Sequence, residues 1–209
     1  FDGNSAYLAV GTTNNEGDIR VMDNNGRTVF DFDGKYAALR VGANGNEGDI
    51  IVKDDNGNES IHLNGGSGDI ILRNADAAEH YDVEDAREVA PGMAMVLGEN
   101  GKLKPCSTEY DRKAIGVVAG AGNYKPGILM DSQHDNANRV PVSVLGKVSC
   151  KVDATIESVE VGDLLTTSAT LGHAMKATKH KKFPGTIIGK ALTPLKKGVG
   201  YVDMLVMQQ

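Results

Sequence analysis

Apolar side chains fall two residues apart over most of the first seventy positions: Leu8 and Val10, Ile19 and Val21, Phe30 and Phe32, Leu39 and Val41, Ile50 and Val52, Ile61 and Leu63, Ile70 and Leu72. The residues beside them include Arg20, Asp31, Arg40, Lys53, His62 and Arg73, with Met22, Ile51 and Ile71 as exceptions. A period of two sends alternate side chains to opposite faces of an extended chain, so the pattern predicts short strands with one apolar and one largely polar face. Between them stand DNNG, DFDG, DDNG and LNGG, whose Asn, Asp and Gly tolerate the positive φ of tight hairpin turns.

The strands are also copies. Phe1 recurs as Phe32, Gly11 as Gly42, Glu16 as Glu47, Asp18 as Asp49 and Gly26 as Gly57, each after 31 residues. A third Gly-Asp-Ile comes early, Asp69 following Asp49 by 20 residues, and reads as a copy from which the segment matching KYAALRVGANGN is missing. Each 31-residue unit divides into three strand-and-turn steps, the spacing of a β-meander or β-solenoid. One thin sheet leaves its apolar face uncovered. Three identical chains winding round one axis cover it most simply, with Ile19, Val21, Phe30, Phe32, Ile50, Val52, Ile61, Leu63, Ile70 and Leu72 as the trimer core. A single-chain solenoid is the alternative, disfavoured because so few turns cannot cap themselves.

After Asn74 the repeat vocabulary stops, which divides the chain into a repetitive β-shaft, residues 1–74, and a second domain, residues 75–209. The second part opens on ADAAEHYDVEDAREVAPGMAMVL, with room for a short helix between Ala77 and Arg87. Short apolar runs then alternate with turn signals, predicting a compact β-barrel or sandwich of eight to ten strands. The expected fold is therefore all-β, a trimeric β-helix or β-prism-like shaft followed by this barrel or sandwich.

The order ADAAEHYDV, VAPGMAMVL, YDRKAIGVVAG, PVSVLGKVSCKVDA, VGDLLTTSATLGHAMKA and GTIIGKAL resembles the intramolecular-chaperone autoprocessing domains that close phage neck-appendage and tail-fibre proteins. The same arrangement resembles β-rich C-terminal modules that follow repeats in bacterial surface proteins. The resemblance covers Asp76 to Gln209. It implies a homotrimeric end piece that aligns three chains so that the upstream repeat pairs in register, on a virion or cell surface. In some relatives the end piece then cuts itself away. Here no scissile pair matches, and Asp76, Glu79, His80 and Asp82 are the ionisable groups of the corresponding linker, Asp76, Glu79 and His80 being the autoprocessing candidates. A charged linker is the favoured reading over self-cleavage.

Composition and charge narrow the other classes. A net charge of −6 argues against a nucleic-acid partner, and the one basic cluster, KATKHKKF from Lys176 to Phe183, reads as a solvated loop ahead of an anion site. No apolar run approaches a membrane span, and no signal peptide opens the chain. Phe1 in place of Met reads as the start of a fragment or processed product. Cys106 and Cys150 read as free buried thiols before a disulfide. Asp23, Asn24, Asn25, Asp54, Asp55 and Asn56 are oxygen donors without the spacing of a calcium loop, so no metal is expected. His134 lies in a polar loop and His173 in a turn, neither with a second ligand at useful spacing. No cofactor motif is present; GAGNYKPG, Gly120 to Gly127, lacks the flanks of a phosphate loop. A glycan-binding tip remains as a further alternative, weakened by the absence of Trp.

Overall fold

The computed structural model describes residues 17–133 and 137–207; the repeat positions before residue 17, and His134, lie outside the described residues. The fold is all-β, with sixteen strands and three short 3-10 turns among the described residues. It forms two compact units, Phe1–Arg73 and Asn74–Gln209. No helix is long and apolar enough to cross a membrane.

The first unit holds two three-stranded antiparallel sheets, β1 (Ile19–Met22), β2 (Thr28–Asp33) and β3 (Ala38–Val41), then β4 (Ile50–Lys53), β5 (Glu59–Leu63) and β6 (Ile70–Leu72). Ile19 pairs with Phe32 and Phe32 with Leu39, while Val21 pairs with Phe30 and Phe30 with Val41. In the second sheet Ile50, Leu63 and Ile70 form one such row and Val52, Ile61 and Leu72 the next. Alternation thus gathers every predicted apolar residue of each sheet on one face.

These sheets correct the reading of the third Gly-Asp-Ile. It is not a shortened copy: β6 pairs with β5 as β3 pairs with β2, so Leu39 and Val41 correspond to Ile70 and Leu72 at the unbroken 31-residue interval. The turns match as well. Asp23 Oδ1 accepts the amides of Asn25 and Arg27, and Asp54 Oδ1 those of Asn56 and Asn58, each at 2.8–3.0 Å. Ala37, at φ 49°, stands where Gly68 stands at φ 79°. A β-bulge follows both Val21 and Val52. The Gly-Asp pair has a mechanical reason: Asp49 Oδ1 accepts the Gly65 amide at 3.0 Å, and a Cβ on Gly65 would stand 2.2 Å from the Gly48 carbonyl oxygen.

The second unit contains β7 (Asp76–Asp82), β8 (Ala94–Leu97), β9 (Leu103–Pro105), β10 (Ala114–Val118), β11 (Pro126–Met130), β12 (Arg139–Ala154), β13 (Leu164–Thr167), β14 (Ala174–Lys176), β15 (Ile187–Ala191) and β16 (Gly198–Val206). Five strands close a ring in the order β12, β16, β15, β13, β14, completed by the parallel pairing of Val152 with Ala174. Its interior is filled by small and branched side chains, among them Val148, Cys150, Val152, Leu165, Val202 and Met204, all fully buried. Val83, Met95, Leu103, Val118 and Val142 form a second cluster under β8 and β9. The helix expected near Ala77 to Arg87 is instead strand to Asp82, with one 3-10 turn at Ala86–Glu88. Pairing with β11 on one edge and β12 on the other overrides the helical propensity of its alanines.

β12 changes partners at Gly146, which pairs with both Val206 and Asp76. Its φ is +104°, and a Cβ there would lie 2.6 Å from the Ala75 carbonyl oxygen. Gly146→Ala therefore adds a clash with backbone to an unfavourable conformation and should destabilise the second unit by roughly 2–4 kcal/mol. Gly101→Ala, at φ +76° with nothing within 4 Å, should cost only about 1–2 kcal/mol. Urea titrations of both variants check this; equal losses would contradict the role assigned to Gly146.

Candidate functional site

The three autoprocessing candidates lie within β7 and not in a linker. Asp76 and His80 fall on one face of that strand and Glu79 on the other, and four residues of strand separate Asp76 from His80 by about 13 Å. Glu79 accepts from the Tyr81 hydroxyl at 3.1 Å. The His80 carbonyl accepts from Arg139 Nη2 at 2.7 Å, while its ring Nδ1 is buried without a partner. Arg139 also bonds the Asp131 carboxylate. Asp82 is exposed, 3.5 Å from Arg139 Nε. The candidates do not converge on one reacting centre.

Asp76 alone has an environment suited to chemistry. It is 5% exposed, its Oδ2 accepts from the fully buried Ser143 hydroxyl, and its Oδ1 has no partner. Burial raises its pKa, partly opposed by the Ser143 hydrogen bond. A carboxyl beside a hydroxyl can act as base or proton donor, but this pair is closed to solvent, so only backbone close to it is a possible substrate. Ser143 was not legible as a partner, because nothing in PVSVLG distinguishes it.

The first unit carries chemistry of another kind. On the polar face of its first sheet Arg20 bonds Asp31 at 3.0 Å and Asp18 at 2.7 Å, while Arg40 bonds Asp31 at 2.9 Å and Asp33 at 3.1 Å. Hydrogen bonds from Asp33 and Asp31 raise the Arg40 pKa. The corresponding row of the second sheet is Ile51, His62 and Ile71, with His62 Nε2 3.1 Å from Asp49. On the opposite face, the expected core residues Ile19, Val21, Phe30, Phe32, Ile50, Val52, Ile61, Leu63 and Ile70 are 37–71% exposed, and Leu72 is half-buried.

Among the described residues no group of three His, Cys, Asp or Glu could hold a metal. The turn carboxylates of Asp23 and Asp54 are committed to N–H donors. His173 Nδ1 lies 2.7 Å from the Leu171 carbonyl in its turn. Cys106 and Cys150 are free and fully buried. Burial pushes the Cys106 thiol up to about 11, and that of Cys150 higher still.

No family model and no curated protein matches the chain. Among solved structures it is similar to pre-mature bacteriophage phi29 gene product 12, with 16% identity and a TM-score of 0.46 over 71% of this chain and 24% of that one. The C-terminal fragment of bacteriophage phi29 gene product 12 gives 18% and 0.42, over 63% of this chain and all of that one. The head fiber gp8.5 N base of bacteriophage phi29 gives 16% and 0.31, over 63% and 90%.

The raised pKa of Asp76 has a signed consequence. Above the ordinary value near 3.8 the unfolded chain releases this proton while the folded chain retains it, so folded stability falls as pH rises through the folded pKa. Against Asp76→Asn, which does not titrate, the wild-type urea midpoint should decline from about pH 4 to about pH 7. Parallel midpoints across that range would contradict the assignment.

Proposed function

We propose that this chain is a structural fibre or appendage segment, exposed on a virion, in which the repeats of the first unit associate as a homotrimer and the second unit sets their register. The observation that carries the proposal is the apolar face common to both sheets. Ile19, Phe32 and Leu39 form a row, as do Ile50, Leu63 and Ile70, and none is buried by its own chain. Each half-exposed side chain has on the order of 1 kcal/mol still to gain from cover. Three copies of a narrow three-stranded sheet close into a triangular prism with all three faces inward, which favours three chains over an open stack.

Registration follows from the match between the repeats. A shift of 31 residues between chains sets Ile19 against Ile50 and Phe30 against Ile61 with the same turns and bulges, so the repeats alone discriminate weakly against it. The second unit has no internal copy and its own closed core, so it supplies one alignment. Self-cleavage near the start of this unit is a second reading, favoured by the buried Asp76–Ser143 pair. A new mass beginning near Asp76 in incubated protein, lost in Asp76→Asn, supports it; an intact chain after prolonged incubation removes it.

Light scattering of the intact chain should give three times 22.1 kDa; a monomer or dimer mass ends the proposal. Ile50→Asp should prevent assembly, because a carboxylate would be buried at the axis in every copy, whereas Arg20→Ala, on the opposite face, should assemble as wild type. Residues 75–209 expressed alone should also be trimeric, and a monomeric fragment would remove the registration role.

A further inference from the structure

The second unit brings together two basic segments that lie far apart in sequence, YDRK at Tyr110–Lys113 and KHKKF at Lys179–Phe183. Tyr110 is the hinge of this arrangement. It is 6% exposed, and its hydroxyl accepts the amides of Thr178 and Lys179 at 2.8 and 2.9 Å. Lys179 Nζ and Lys182 Nζ lie 5.4 and 5.5 Å from its ring centroid, within reach of its electron-rich face. The basic segment is not a slack loop: His180–Lys182 is a 3-10 turn, and the Thr186 hydroxyl lies 2.7 Å from the Lys182 carbonyl.

Beside this ring opens a groove of about 370 Å³ lined by Tyr110, Arg112, Lys181, Lys182, Pro184 and Thr186. Arg112, Lys181 and Lys182 are exposed. Elsewhere in the unit cations are matched: Arg87 with Asp85, Arg139 with Asp131, Lys176 with Asp163 and Lys179 with Glu109. Among the described residues the three cations of the groove have no carboxylate partner. Three like charges fixed round one concavity, on a chain of net charge −6, repel one another unless an anion sits between them. An Arg fork with two Lys point charges is the donor set suited to a tetrahedral oxyanion.

We propose that the groove bounded by Arg112, Lys181 and Lys182 beside Tyr110 binds phosphate or sulfate groups carried on an anionic polysaccharide. The open groove admits one such group and lets the polymer run past on either side. This assignment is independent of the oligomeric state.

The test is calorimetry of the intact chain with dextran sulfate, with uncharged dextran and with inorganic phosphate. Dextran sulfate should bind and uncharged dextran should not, and Arg112→Ala with Lys182→Ala should weaken binding at least tenfold. Lys196→Ala with Lys197→Ala removes two exposed cations outside the groove and should leave affinity within twofold. Matching melting curves establish that both double variants are folded. Binding of inorganic phosphate alone would overturn the polymer as the source. No binding of dextran sulfate, or equal weakening by the two double variants, would overturn the site.

Discussion

The backbone ladder along β12 is shared between two sets of partners, and the second unit is organised by that sharing. From Arg139 to Gly146 the strand bonds β7, with β10 alongside at Ser143 and Val142; from Gly146 to Ala154 it bonds β16, and at Val152 it reaches β14 to close the ring. One strand can serve two layers only if it bends where the partners change, and a bend under close backbone approach requires a residue without a side chain. Gly146 meets that requirement. The buried Asp76 stands at the same junction, so the most unusual carboxyl of the unit and its sharpest backbone demand share one cause.

The first unit is governed by the complementary condition, an apolar surface that its own chain cannot cover. Its two sheets agree on the covered face in every row but differ on the other. The ion-paired Arg20, Asp31 and Arg40 are replaced by Ile51, His62 and Ile71. Identity is therefore kept where packing demands it and relaxed where the face meets solvent, where exposed ion pairs contribute little stability.

What could be read in advance follows the distance over which each feature is encoded. Alternation at Ile19 and Val21 or Ile50 and Val52 is local, as are the Asp-Asn-Gly turns, and both appear where expected. Leu72 and Ile70 were assigned to the right face from the wrong copy of the repeat, because the Gly-Asp-Ile wording hid their equivalence to Val41 and Leu39. β7 was taken for linker and helix because Ala77 and Ala78 say nothing of β11, nearly fifty residues on. Ser143 and Arg112 carry no local mark either; each becomes notable only beside a partner brought there by folding.

The two cysteines lie inside the closed barrel, where burial holds both thiols protonated well above neutral pH. A protonated thiol is neither a nucleophile towards disulfides nor a ready target of oxidants. The folded barrel is thus insensitive to the redox potential around it. Such a chain can fold in a reducing compartment, leave it for an oxidising one and keep the same covalent structure throughout, with no cross-links between copies to form, exchange or repair.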